Sequence, residues 1–313
     1  MRRFFSTLTD VGCGVSRNML LNFDQTMHLY DPSRGFTWEK KGSTRVQIAE
    51  SKDGFTLLPV VSMEGFVGAQ LIFGGTTERV FPDVPRGSFL HYLATNSHWS
   101  NEDTTIKLWR DIIHPYIIQQ RREMENDKEP ALVLADAYGP HWTSKVQDVV
   151  KEVDNVAYVC VPDSLTHLFQ PLDLGIIGAL KSSVMRRRDD FLEQEVAIAL
   201  REKRVVQLSK SRPILRNRVV GWIKEVIADP LTCGARCCTV GFQRAGIAAA
   251  LYGELTENIE VEKVSPGSLP KCSECGELGT VISDLPVCGH FTDVEIAVLC
   301  VGCLRNHKEL CAD

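Results

Sequence analysis

The sequence predicts an α/β domain built on a mixed sheet flanked by helices. Short apolar runs at 55–62, 69–73, 131–135 and 156–161 are bounded by turn residues, as strands buried in a covered sheet require. Amphipathic stretches lie among them, such as the one carrying Val146, Val149, Val150 and Val153 at helical spacing. Their alternation gives the order βββαβαβα. The 313 residues suffice for one large domain with a small appendage, or for two domains. Charged residues at 24% and hydrophobic ones at 44% place the chain among ordinary globular proteins and exclude a disordered one. No apolar run approaches the roughly 18 residues of a membrane span, so no membrane partner is expected. Met1-Arg2-Arg3-Phe4-Phe5-Ser6 lacks the apolar stretch of a signal peptide, so the cysteines should be reduced or metal-bound.

Residues 1–18 show no clear period and read as a connector, a truncated remnant, or the start of a first helix or strand. From 19 to 75 the pattern is strand, turn, strand, turn, strand, punctuated by Gly35, Gly42, Gly54, Gly65 and Gly74-Gly75. Residues 76–100 read as a loop with short elements. Asn101 or Ser100 is placed to cap a helix over 104–118. A charged connector at 121–129 leads to the strand at 131–135. A helix over 143–153, a strand over 156–161, a turn at Pro162 and a helix over 174–185 follow. That order is the one of a ribonuclease-H-like sheet. Residues 191–200 and 219–227 are helical by period, with a stop at Gly246. The expected domains are a connector at 1–18, the ribonuclease-H-like core at 19–185 and a basic helical extension at 186–253. A polar, Pro-containing linker at 254–270 and a Cys/His-rich module at 271–313 complete the chain.

Three aspartates stand at the polar ends of apolar stretches: Asp24 after Leu20-Leu21, Asp136 after 131–135, and Asp173 in Gln170-Pro171-Leu172-Asp173. Carboxylates gathered at one rim of a sheet repel one another unless a divalent cation joins them. An oxygen-only set suits Mg²⁺ or Mn²⁺. Two such ions suit phosphoryl transfer. Taken singly, each aspartate is better read as a cap or turn residue. His141, five residues after Asp136, reads as a helix-capping histidine, with a phosphate or metal-bound water as the alternative. Gln170-Pro171 reads as the turn that aims Asp173, flanked by His167, and Asp163 as a turn residue. Trp38, Trp99, Trp109 and Trp222 read as core.

The flanking residues decide for the metal. Asn22-Phe23-Asp24-Gln25-Thr26, Asp136 with His141, and Leu165-Thr166-His167-Leu168-Phe169-Gln170-Pro171-Leu172-Asp173 resemble the DDE-type transposases of the mariner/pogo superfamily. The nearest branch by resemblance is the pogo-like one, with its jerky and centromere-protein-B relatives, where the third acid is aspartate. The 36 residues between Asp136 and Asp173 match that family's interval. The strands at 55–62 and 69–75, the helix at 104–118 with Trp109 and Pro115, and the helices at 222–227 and 242–247 extend the resemblance over roughly 20–250. It implies a ribonuclease-H-like core whose Asp24, Asp136 and Asp173 hold two metal ions and cleave or join DNA, in the nucleus, in a paired complex. Three departures stand out. Gln25 replaces a frequent Glu. The 23 residues before Asp24 are too few for the helix-turn-helix module that precedes the core in that family. A cysteine-rich tail follows the core. These departures raise a second expectation, a domesticated, non-catalytic protein that binds DNA or other proteins.

The net charge of −5 is unevenly spread. Residues 181–218 hold eleven Lys or Arg against five Asp or Glu, a local +6 that leaves −11 for the rest. Arg186, Arg187, Arg188, Arg216 and Arg218 are the expected phosphate contacts, against the alternative of a solvated helix face. In the tail, Cys272, Cys275, Cys300 and Cys303 have the paired spacing of a tetrahedral zinc site, and Cys288, His290, His307 and Cys311 offer a second. One or two Zn²⁺ are expected there, because 43 residues bury too little apolar surface to fold comfortably alone. Such a module suits a protein partner. Cys233, Cys237 and Cys238 read as buried or idle thiols.

Overall fold

The computed structural model describes residues 2–31 and 53–253, together with two short strands at 281–283 and 297–299. Residues 8–254 form one compact unit; residues 1–7 and 255–313 form another. The stretch left open at the N-terminus begins with a helix, α1 (Arg2–Gly12).

The central sheet grows from a single interrupted strand. β1 (Leu20–Phe23) and β2 (Thr26–Leu29) both pair antiparallel with β3 (Gly54–Ser62), in one continuous register: Phe23 faces Val60 and Thr26 faces Leu57. By that register Asp24 falls opposite Pro59 and Gln25 opposite Leu58. Pro59 has no N–H to give to a ladder, and the strand opens at this point. Asp24 is thereby released from strand pairing at the rim where β1 ends. Every residue of β3 is buried, as expected of a central strand covered on both faces.

β4 (Gly65–Gly74) pairs antiparallel with β3, and β5 (Leu90–Thr95) pairs parallel with β4. On the other side of β1 lie β6 (Ala131–Asp136) and β7 (Val156–Val161), both parallel to it. The order β5-β4-β3-β1-β6-β7 is the ribonuclease-H-like mixed sheet, with one additional edge strand. β5 lies in the stretch read as a loop. Only Leu90 and Tyr92 of its six residues are buried, so its alternation is too short to stand out in the sequence.

The helix expected at 104–118 is longer. α2 (Glu102–Leu108) continues through a wide π turn (Trp109–Ile113) into α3 (His114–Glu123). Asn101 caps it in a capping box, its side chain accepting from the Thr104 N–H at 2.9 Å. The wide turn sits just before Pro115, whose missing N–H would otherwise break the regular ladder. The last turn runs on into the charged stretch because Arg121 is buried. Its guanidinium donates to the carbonyls of Glu129 at 2.9 Å and Asp154 at 2.7 Å, next to the starts of β6 and β7. Trp109 is fully buried, whereas Trp99, also read as core, is 49% exposed; Trp38 lies outside the described residues.

α4 (Ser144–Val150) crosses from β6 to β7 and buries Val146, Val149 and Val150. Two short helical turns, α5 (Thr166–Phe169) and α6 (Pro171–Leu174), precede the long α7 (Ile176–Arg201). α7 runs unbroken through residue 185, where the core and its basic extension were divided. α8 (Arg212–Ala228), α9 (Pro230–Cys233), α10 (Ala235–Arg244) and α11 (Ile247–Tyr252) follow. Cys233 and Cys238 are buried, with thiols pushed up to about 12 by burial, which fits inert core cysteines.

α6 and α10 meet backbone to backbone. A Cβ on Gly241 would lie 2.4 Å from the Pro171 carbonyl, and one on Gly175 would lie 2.9 Å from the Gly241 Cα. Gly241→Ala should therefore push α6 outward. The expected cost is about 1–3 kcal/mol of stability, the range for overpacking, with Asp173 displaced. Chemical denaturation checks the first effect and Mn²⁺ titration the second.

In the tail, β8 (Val281–Ser283) pairs antiparallel with β9 (Ala297–Leu299). All eight expected zinc ligands, from Cys272 to Cys311, lie outside the described residues. Among the described residues no helix is long and apolar enough to cross a membrane.

Candidate active site

Topology brings the three aspartates to one place. Asn22 on β1 sits opposite Leu134 on the parallel strand β6. Asp24 and Asp136 each lie two residues beyond that pair, at the same rim of the sheet. Asp173 reaches the rim from α6, because the N–H of its neighbour Leu172 donates to the Asn22 side-chain oxygen at 3.0 Å.

The environments of the three differ. Asp24 is buried, and its carboxyl is pushed up to about 8. Burial is the main cause, and the negative charges of Asp173 and Asp136 add to it. The Gln25 N–H, 2.7 Å from the Asp24 Oδ1, works in the opposite direction. Asp173 is exposed, yet burial of its carboxyl and the charge of Asp136 raise it too, while the Lys181 ammonium lowers it. The carboxylates thus sense one another. Even so, among the described residues no three His, Cys, Asp or Glu side chains stand at metal-ligand spacing. Two of them also make local bonds: the Gln25 N–H donates to Asp24 Oδ1, and Asp136 Oδ1 lies 2.8 Å from the Nδ1 of His141.

That last contact corrects the reading of His141 as a helix cap. Thr143 caps α4, accepting from the Val146 N–H at 3.4 Å. His141 is fully buried in a tight turn (Gly139–His141), edge-on to Phe23 and Tyr138. With Asp136 ionised, the His141 Nδ1 must carry the proton and donate it, which fixes the tautomer. Trp142 donates its indole N–H to the Asp136 carbonyl at 2.7 Å and stacks on Tyr158 at 4.1 Å. Asp136 is therefore held by Trp142 of its own turn, with Tyr158 of β7 stacked behind. Asp163 lies in a turn (Asp163–Leu165) and its carbonyl accepts from the Thr166 hydroxyl, in keeping with a turn role.

One participant was read in the sequence only as part of the turn that aims Asp173, and a second escaped that reading. Gln170 is fully buried and donates to the Phe23 carbonyl at 3.2 Å, and its Oε1 has no partner. Lys181 lies two helical turns beyond Asp173, a spacing that brings its charge to both Asp173 and the buried His28. It was counted only as one charge of a basic run.

The basic set divides. Arg186 is exposed and donates to the Ser183 hydroxyl at 2.9 Å. Arg187 pairs with Glu225 at 2.6 Å, and Arg188 with Asp31 at 3.0 Å. Arg218 lies over the Phe191 ring at 4.0 Å. Arg216, expected to meet a phosphate, is instead buried, with its guanidinium hydrogen-bonded to Tyr30. A helix interior position between Val219 and Leu215 leaves it facing the core, so it drops out of the candidate DNA surface.

Residues 91–208 match the family model described as DDE superfamily endonuclease. No curated protein matches the chain. Among solved structures it is similar to the Mos1 strand transfer complex, at 12% identity and a TM-score of 0.44, over 82% of this chain and 61% of that one. It is also similar to the Mos1 mariner paired end complex with Mn, at 11% identity and a TM-score of 0.44, over 78% and 57%. The Mos1 transposase catalytic domain with raltegravir and Mn aligns at 13% identity and a TM-score of 0.43, over 82% and 94%. This chain spans about three fifths of the length of the first two. The matched stretch contains β6, α6 and two of the three aspartates, and it is this part of the chain that is similar to a DDE superfamily endonuclease.

Proposed function

We propose that Asp24, Asp136 and Asp173 together hold two Mg²⁺ or Mn²⁺ ions and that the protein cleaves DNA or transfers its strands. The observation that carries this is the convergence of the three on one rim of the sheet, through the β1–β6 register and the Leu172–Asn22 bond. The family match over 91–208 supports it. The donor set fits hard cations: three carboxylates whose charges sense one another, with the Gln170 side chain hydrogen-bonded to Asp24. When bound, such ions polarise the scissile phosphate and favour deprotonation of an attacking water or 3′-hydroxyl. The chain's own residues do the rest. Asp24 gives up its proton to the site, His141 orients Asp136, and Lys181 balances the charge of Asp173. Aspartate as third acid supports placement in the pogo-like branch. Incubation of supercoiled plasmid with the protein and Mn²⁺ tests the proposal, and nicking is the expected result.

DNA would meet the exposed side of α7. Arg186 is the leading phosphate contact there; Arg187 and Arg188 must first leave Glu225 and Asp31. Arg186→Ala should flatten the slope of log K against log salt by about 0.9, with smaller further changes from the other two. Salt titration of binding to a random duplex measures this, and an unchanged slope would make the triplet a solvated face.

The absence of a ready metal-ligand group among the described residues favours a second reading, a non-catalytic protein that binds DNA or proteins through the same fold. On either reading a nuclear location, pairing of chains, and a tail that binds one or two Zn²⁺ through Cys272, Cys275, Cys300, Cys303, Cys288, His290, His307 and Cys311 are part of the proposal. Metal analysis of the purified protein should give one or two zinc per chain, and none would reject the tail sites.

A further inference from the structure

We propose that Asn22, together with Gln170, is a positioning device that sets the three aspartates in register, by tying the three elements that carry them through one buried amide. Asn22 is fully buried. Its Nδ2 donates to the Leu134 carbonyl on β6 at 3.0 Å, two residues before Asp136. Its Oδ1 accepts from the Leu172 N–H on α6 at 3.0 Å, one residue before Asp173. Asn22 itself lies two residues before Asp24. Only one orientation of the amide satisfies both bonds, so the assignment of nitrogen and oxygen follows from the partners. Gln170 adds a second tie, donating to the Phe23 carbonyl at 3.2 Å and so joining α6 to the residue next to Asp24.

The arrangement gives a physical reason for two short patterns. An Asn two residues before the first aspartate and a Gln three before the third are each unremarkable alone. In the fold they interlock across roughly 150 residues of chain, each partner buried where an unmade hydrogen bond is costly. Carboxylates that repel one another need such ties, since nothing in their own charge holds them together.

This inference rests on the reading that the aspartates share divalent metal. The test uses the full chain and three variants: Asn22→Ser, Gln170→Met, and Val226→Ala as a core substitution on α8 away from the site. Three properties are measured: thermal stability without divalent ions, Mn²⁺ affinity by calorimetry, and hydrogen exchange at the Leu172 amide. The expected result is a loss of Mn²⁺ affinity of about 10- to 100-fold in the first two variants, the range for removing groups that orient ligands. Exchange at Leu172 should speed up in Asn22→Ser. Val226→Ala should lose stability and keep wild-type Mn²⁺ affinity. Wild-type affinity in both clip variants overturns the inference. If Asn22→Ser does not fold, Gln170→Met decides alone. If the wild-type chain itself binds no Mn²⁺, the shared-metal reading fails first and takes the purpose of the tie with it.

Discussion

Asp24→Asn should raise the stability of the protein at pH 8 in the absence of divalent ions. In the folded state the Asp24 carboxyl is pushed up to about 8, while in the unfolded chain it titrates near its ordinary value of 3.8. Below that lower value both states hold the proton and nothing is lost. As pH rises toward 8 the unfolded chain gives the proton up and the folded one keeps it. Stability therefore falls by about 1.4 kcal/mol per pH unit across this window. The substituted amide has no proton to lose and its oxygen can still accept from the Gln25 N–H. The gain at pH 8 should be on the order of several kcal/mol, roughly 5–10 °C in a chain of this size. Thermal melts at pH 5 and pH 8 in EDTA measure it. A variant no more stable than wild type at pH 8 would show that Asp24 carries no such strain. Mn²⁺ should raise the melting temperature of the wild type and leave the variant nearly unmoved.

Asp173→Asn or Asp136→Asn should abolish plasmid nicking, with a loss of at least about 10²–10³-fold. That is the scale on which removing one preorganised group facing transition-state charge lowers a rate. The variants should remain folded, because Asp173 is exposed and neither change empties the core. Binding of Mn²⁺ requires Asp24 to release its proton, so affinity should climb with pH up to about 8 and level off above. Nicking should follow the same curve at limiting Mn²⁺ and flatten when Mn²⁺ is saturating. Undiminished nicking in Asp173→Asn would point to a contaminating nuclease or to a different set of ligands.

On the proposed metal reading, this arrangement would set stability against function. The repulsion and burial that push Asp24 up are what a cation would relieve, so the feature expected to weaken the metal-free fold is also the one expected to bind the ion. The aromatic wall of Trp142 and Tyr158 and the buried His141 hold Asp136 in place. Gly175 and Gly241 let α6 approach α10 closely enough to carry Asp173 to the same rim.

The sequence by itself determined the fold class and singled out three acids as the candidate site. Strand runs with buried residues on both faces leave a strong apolar signal, and Asp24 and Asp136 at the ends of two of them are visible without coordinates, while Asp173 stands out through its flanking motif. The helix cap was legible to within one residue, as Asn101 or Ser100, because a capping box is a local pattern, and the fold places it at Asn101. The tertiary structure decided everything that depends on partners distant in sequence. The edge strand β5 needed β4 beside it, since two buried residues out of six make no period of their own. Arg216 looked like its neighbours in a basic run, and only the packing of α8 turned it inward to Tyr30. His141 looked like a cap until the turn brought its ring to Asp136. The Asn22 amide, holding Leu134 and Leu172 at once, joins chain segments more than 100 residues apart. Periodicity reports which side of an element is buried and is silent on what it meets there, because a hydrogen bond between remote segments leaves no local pattern in either one.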